Sequence, residues 1–255
     1  MRENLVALQS ILAKEITRYF RIWVQTLLPP AITMTLYFVI FGNLIGSRVG
    51  QMGDRTYMEF ITPGIIMMSV ITNSYSNVVS SFFSAKFQRH IEELLVAPVP
   101  NIYILLGYIG GGVSRGLITG LIVTIVSSFF VDLQIHNYFV VFVVILLTST
   151  LFALGGLVNA VYAKKFDDIS IVPTFILTPL TYLGGVFYSI TLLPEFWQNV
   201  SMANPILYMV NAFRYGFWGI SDINLGVAFG IIGVFIVSMF SFALYLLNTG
   251  KGLKS

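Results

Sequence analysis

The chain has 255 residues, of which 56% are hydrophobic and only 10% are charged. Soluble domains carry about 25% charged residues, so this composition excludes an ordinary soluble domain and predicts one integral membrane domain over residues 1–255. The absence of cysteine excludes disulfides, thiolate chemistry and cysteine-ligated metal sites.

The first 22 residues predict an amphipathic helix on the membrane surface. One face is apolar, with Leu5, Leu8, Leu12, Ile16, Tyr19 and Trp23 at helical spacing. On the opposite face, Lys14, Arg18 and Arg21 suit contact with an anionic leaflet. Packing against the protein's own cytoplasmic face is the alternative. The segment lacks the compact apolar stretch of a cleavable signal peptide, and none is expected.

Six apolar segments are each long enough to cross a bilayer. They lie near 23–45, 58–83, 101–130, 138–162, 170–192 and 225–248. Six spans place both termini on one side, which then carries Arg2, Lys14, Arg18, Arg21, Lys86, Arg89, Lys164, Lys165, Lys251 and Lys254. The other side carries Arg48, Arg55 and Arg214. The positive-inside rule therefore predicts cytoplasmic N- and C-termini.

A charged segment interrupts the apolar chain between spans two and three. Residues 86–97 combine an apolar face with charged residues, and Pro98 ends the predicted short helix. Held on the cytoplasmic side, this helix would fit a groove in a soluble partner. A solvated loop helix without a partner is the alternative.

Arg115 is the one basic residue inside a predicted span. Charges inside a membrane face the protein interior or a wet cavity, so Arg115 is either a structural anchor or a pathway-lining residue. Its surroundings G-V-S-R-G match the pattern of a hydrolase nucleophile. That chemistry needs a strand–turn–helix, and an apolar helix with close-packing glycines fits better.

Residues 194–219 are too apolar for an exposed loop and too interrupted for a seventh span. Pro205 divides the segment, which also contains Glu195 and Arg214. Two short re-entrant helices in the outer leaflet are predicted, with aromatic residues at the interface. A single surface-lying helix is the alternative.

The chain has no phosphate-binding loop and no series of acids within its spans. Neither nucleotide binding by this chain nor coupling to an ion gradient is therefore expected. Energy for transport would come from another protein.

Three motifs resemble ABC-2 type membrane permeases. They are R-H-I-E-E-L-L-V-A-P-V-P from Arg89, T-P-G-I from Thr62, and the pattern from Leu193 that contains S-M-A-N-P-I-L-Y-M-V-N-A-F-R-Y-G. The resemblance covers essentially the whole chain and implies an all-α integral membrane protein. Its six transmembrane helices are accompanied by the interfacial helix 1–22, the coupling helix 86–97 and the outer re-entrant hairpin 194–219.

The resemblance also implies partners and residue roles. Two copies of this chain would pair with two copies of a separate ABC ATPase, which alone would bind ATP and Mg; this chain would hold no cofactor and no metal and would not be an enzyme. The pathway would lie between the two copies, lined by spans one, two and five. The ATPase-coupling residues would be Arg89, Glu92, Glu93, Leu94 and Pro98. The outer gate would be shaped by Asn204, Pro205, Tyr208 and Arg214.

These expectations together describe an exporter of the bacterial inner membrane. The cargo would be amphipathic or hydrophobic, membrane lipids would surround the protein, and no nucleic acid would bind. A secondary transporter or channel that works without ATP is the first alternative. A membrane assembly or scaffold protein is the second.

Overall fold

The computed structural model describes residues 2–52 and 55–253; Lys254, counted above among the cytoplasmic basic residues, lies outside them. The described α-helices are α1 (Arg2–Arg21), α2 (Trp23–Thr26), α3 (Leu28–Tyr37), α4 (Gly46–Val49), α5 (Tyr57–Phe87), α6 (His90–Val96), α7 (Asn101–Ser127), α8 (Tyr138–Tyr162), α9 (Asp168–Val172), α10 (Thr178–Leu183), α11 (Glu195–Met202), α12 (Pro205–Trp218) and α13 (Leu225–Thr249). Two π-helices, Phe38–Ile45 and Pro173–Leu177, and one 3₁₀ helix, Ile190–Leu192, complete the helical part.

A minute β-ribbon departs from the predicted all-α fold. Strands β1 (Gln51–Met52) and β2 (Arg55–Thr56) pair antiparallel just before α5. Thr56 then caps α5, since its side chain accepts the N–H of Glu59 while the Glu59 carboxylate accepts the N–H of Thr56. The ribbon thus fixes where α5 begins.

Within residues 2–52 and 55–253, four helical segments are long and apolar enough to cross a membrane: Trp23–Gly42, Asn101–Ser127, Tyr138–Tyr162 and Leu225–Thr249. The chain is a multi-pass membrane protein on this basis. Helix α5 has the length, with 31 residues, but it carries many polar residues. The segment Asp168–Leu183 is apolar but shorter. The count of six spans therefore stays a prediction.

Helix α5 is the central helix of the bundle and packs against both α7 and α8. Glycines allow this close approach. A Cβ on Gly112 would lie 2.6 Å from Val78 of α5, and one on Gly156 of α8 would lie 2.6 Å from the carbonyl oxygen of Tyr75. The small residues predicted for helix packing in span three serve that purpose.

Prolines inside the helices leave backbone carbonyls without their usual donor, and side chains from neighbouring helices supply the missing hydrogen bonds. Pro30 cannot donate to Thr26 O, which accepts from Arg115 Nη2 at 3.1 Å. In the same way, Pro63 cannot donate to Glu59 O, which accepts from Trp218 Nε1 at 3.2 Å.

The same substitution of donors occurs at a third proline. Pro173 cannot donate to Ile169 O, which accepts from Asn159 Nδ2 at 3.3 Å. Each interrupted helix is thereby tied to a particular neighbour.

Side-chain contacts group the helix ends at two opposite ends of the bundle. At the first, called the α6 end, Lys86 donates to the carbonyl oxygens of Val161 and Ala163, at 2.8 Å for Ala163. Asn101 bonds Asn248 at this same end. At the second, called the α12 end, the start of α5 meets the end of α12 through Glu59 and Trp218.

Candidate functional site

The segment predicted as one helix over 86–97 is two helices in the structure. Helix α5 continues through Phe87, and α6 runs only from His90 to Val96. Arg89 between them has a left-handed backbone, with φ of 63°. A non-glycine residue in that conformation interrupts a right-handed helix, so Lys86 and Phe87 belong to α5.

Helix α6 packs on the hydrophobic core through Ile91, Leu94 and Leu95, and its two acids face solvent. Ile91 is fully buried, whereas Glu92 and Glu93 are exposed and Leu94 is half-buried. Arg89 and Pro98 at its two ends are also exposed. The five residues predicted to contact an ATPase therefore lie on one accessible two-turn segment at the α6 end.

An exposed pair of aromatic side chains adds to this accessible segment. The sequence did not predict that the two rings would pack together. Phe166, from the loop after α8, packs on Phe87 with ring centroids 5.1 Å apart, and both remain more than half exposed. Val96 of α6 is 87% exposed. A large aromatic residue inside the short polar loop K-K-F-D-D was the sequence signal for Phe166. We call Phe87, Glu92, Glu93, Val96 and Phe166 the α6 surface.

At the α12 end, residues 195–218 form the two short helices predicted there, α11 and α12, separated by Pro205 at the first position of α12. Asn204 connects α12 to α10: its Oδ1 accepts the N–H of Ile206 at 3.0 Å, and its Nδ2 donates to Leu180 O at 2.6 Å. Leu180 O belongs to the last turn of α10, where carbonyls lack helical donors.

Tyr208 and Arg214 bond backbone carbonyls in the same manner. The Tyr208 hydroxyl donates to Met202 O at the end of α11, at 2.7 Å. Arg214 donates to Gly185 O at 2.8 Å and lies over the ring of Phe60, 4.0 Å from its centroid. Asn204, Tyr208 and Arg214 thus each bond a backbone carbonyl near the end of α10 or α11, and this cluster of bonds, with Pro205 starting the helix, fixes α12 against both.

Arg115 lies near the middle of α7 and is therefore far from both the α6 end and the α12 end of the bundle. It is 8% exposed and donates to Thr26 O and, at 2.9 Å, to Asn73 Oδ1. One side of its guanidinium therefore anchors the break between α2 and α3. The same residue lines a cavity of about 270 Å³ between these helices and α5.

Helix α1 packs along α7 in the same direction, so its inner face contacts protein. Ile11 meets Gly107, and Glu15 meets Gly111 one turn later. Glu15 is fully buried and accepts from Ser81, while Arg18 donates to Asn77 Oδ1 at 2.9 Å.

Of the three basic residues predicted to contact lipid, Arg18 is directed into the protein, whereas Lys14 and Arg21 are exposed. The buried Glu15 was not predicted. Its signal was the row of polar residues on α5 at every fourth position, Ser69, Asn73, Asn77 and Ser81.

Comparison with known proteins assigns this arrangement to a family. The family model described as ABC-2 type transporter matches residues 6–218, which include α6 and the cluster around Asn204. The chain belongs to the ABC-2 type transporter family. The resemblance inferred from the three motifs is confirmed.

The relatives of this chain include a protein that is a transport permease by name. The chain is 64% identical over 250 residues to the inner membrane transport permease YadH of Escherichia coli K12, covering 98% of each chain. It is 22% identical over 214 residues to nodulation protein J of Rhizobium meliloti, covering 84% of this chain and 82% of the relative. This ABC-2 protein is a transport permease, and the α6 surface is an accessible candidate contact site for a partner.

Proposed function

We propose that this chain is the membrane permease subunit of an ABC exporter in the bacterial inner membrane. Two copies would assemble with two copies of a separate ABC ATPase, which hydrolyses ATP and moves the spans through α6. Both termini and the α6 end face the cytoplasm in this assembly, and an amphipathic or hydrophobic cargo leaves through the α12 end.

The observation that carries this function is the α6 surface. A family permease without a phosphate-binding loop needs a cytoplasmic contact for its energy source. Helix α6 is held firmly, because Ile91 is fully buried and α5 leads directly into it. A force on its exposed acids is thus transmitted to the central helix of the bundle.

The composition of the α6 surface suits a protein partner. Exposed aromatic rings beside charged residues are typical of protein interfaces, where aromatic residues fill pockets and charges fix the orientation. Phe87 and Phe166 supply the rings, and Glu92 and Glu93 supply negative charge that a basic groove would complement.

Co-purification with a candidate ABC ATPase tests the function, and an ATPase encoded beside this chain is the first candidate. We expect the full chain to retain the ATPase in detergent and to raise its hydrolysis rate. The double variant Glu92→Arg, Glu93→Arg should weaken binding about tenfold or more, because it reverses two charges in the contact.

Glu3→Arg is the matched control, since Glu3 is an exposed acid on α1 and lies outside the α6 surface. It should leave ATPase binding and stimulation unchanged. Equal binding by the double variant and the wild-type chain would contradict the assignment of α6. Transport by the chain alone in vesicles, without ATP or any ATPase, would contradict the ABC mechanism itself.

A further inference from the structure

The cavity beside Arg115 has the properties of an anion site. Its polar lining comes from three helices and consists of Gln25, Thr26, Thr33, Ser69, Thr72 and Asn73. The cavity is open, because Gln25, Thr33 and Thr72 are exposed on the side of the protein. With a volume of about 270 Å³ it can hold a small polar headgroup.

The charge of Arg115 is not neutralised inside the described part of the chain. The ion pairs there join Arg18 to Glu15 and Arg55 to Glu59, and neither involves Arg115. Its two acceptors, Thr26 O and Asn73 Oδ1, are neutral. A buried cation without a counter-ion is strongly unfavourable in a membrane, so the site favours an incoming anion.

Two residues that line the cavity each have a buried polar atom without a hydrogen-bond partner among the described residues. These atoms are Arg115 Nε and Ser69 Oγ. Ser69 is 1% exposed and lies one helical turn before Asn73 on α5. A guanidinium N–H on α7 and a hydroxyl on α5, both from residues that line the cavity, are donors of the kind from which a phosphate or carboxylate oxygen accepts hydrogen bonds.

The surroundings of the cavity are apolar. Pro29, Pro30, Met34 and Met68 complete its lining. Ile32 and Leu36 of α3 are each more than half exposed. A ligand with hydrocarbon chains could therefore keep those chains along α3 in the lipid while its headgroup enters the cavity. A fully soluble anion would gain nothing from this apolar surface.

We propose that the cavity between α2, α3, α5 and α7 binds the anionic headgroup, phosphate or carboxylate, of a membrane amphiphile through Arg115 and Ser69. Such an amphiphile is the class of cargo that this permease moves, and that role as cargo rests on the export function proposed above. The position of Arg115, 14 residues into α7 and so about 21 Å along it, places the headgroup near the middle of its path.

Native mass spectrometry of the purified full chain tests this site without any ATPase. The probes are phosphatidylglycerol, phosphatidylcholine with the same acyl chains, and inorganic phosphate. We expect selective binding of phosphatidylglycerol, weakened about tenfold or more by Arg115→Gln and largely kept by Arg115→Lys. Arg48→Gln, which removes an exposed surface charge on α4, should leave the binding unchanged.

A second variant protects the test against misfolding of Arg115→Gln. Ser69→Ala removes the hydroxyl without adding volume to a buried position and leaves the hydrogen bonds of Arg115 to Thr26 O and Asn73 Oδ1 intact, so we expect it to weaken selective binding in a protein that still purifies as wild type does. Equal affinity for both lipids, or no effect of Ser69→Ala and Arg115→Gln, would overturn the site.

Binding of inorganic phosphate but not of the anionic lipid would overturn the proposal that the ligand is a membrane amphiphile. Since the assay contains no ATPase, a failure here leaves the docking of α6 to be judged by its own experiment.

Discussion

The bond between Trp218 and Glu59 offers the sharpest test of how the broken helices are held. Trp218 is 8% exposed, and its Nε1–H donates to the carbonyl that Pro63 leaves without a helical donor. Trp218→Phe removes the donor and keeps an aromatic ring. An unsatisfied carbonyl in a partly buried position costs about 1–2 kcal/mol, which corresponds to a fall in Tm of roughly 2–8 °C.

A double-mutant cycle separates this bond from the loss of ring volume. Pro63→Ala restores an N–H that can donate to Glu59 O within α5, so the carbonyl no longer depends on Trp218. In the Pro63→Ala background, the free-energy cost of Trp218→Phe should fall by about 1 kcal/mol. Loss of packing, in contrast, would cost the same in both backgrounds.

Unfolding of the four proteins in mixed micelles, followed by circular dichroism, measures the cycle. Trp197→Phe is the control, because Trp197 is 45% exposed. This substitution should change the free energy of unfolding by less than about 0.5 kcal/mol. Equal costs of Trp218→Phe with and without Pro63 would refute the reasoning.

Three further predictions concern helix packing, the hydrogen bonds of Asn204 and the orientation of the chain in the membrane. Gly64→Ala should destabilise the protein by about 1–3 kcal/mol, because its Cβ would lie 2.6 Å from the backbone oxygen of Val186. A Cβ on Gly230 would have nothing within 4 Å, so Gly230→Ala should be neutral or stabilising in the same unfolding assay. Asn204→Leu should cost about 2 kcal/mol or more, since it removes the bonds to Leu180 O and Ile206 N, and Asn199→Leu, on exposed α11, should cost little. In a chain without natural cysteine, Glu92→Cys should react with an impermeant maleimide only from the cytoplasmic side and Asn199→Cys only from outside; the reverse labelling would contradict the predicted orientation.

Much of the helical layout follows from local sequence. Apolar segments between charged or proline-rich breaks predicted helices that the structure places within a few residues, such as 138–162 for α8. Pro205 predicted that residues 194–219 divide into two short helices, and in the structure Pro205 begins the second of them with Asn204 as its cap.

The long-range partners could not be predicted in the same way. No local pattern shows that Arg115 would bond the carbonyl freed by Pro30, or that Trp218 would bond the one freed by Pro63. The left-handed Arg89 also gave no signal, since arginine is ordinarily compatible with a continuous helix. These features depend on the packing of helices that are far apart in the sequence.

Cross-linking from α6 tests the central claim most directly. In membrane vesicles that contain the chain and the candidate ABC ATPase, a photoreactive group on Glu92→Cys should form a covalent adduct with the ATPase. The same group on Asn199→Cys, at the α12 end, should form none. An adduct from Asn199→Cys, or no adduct from Glu92→Cys while the two proteins co-purify, would contradict the assignment of α6 as the contact.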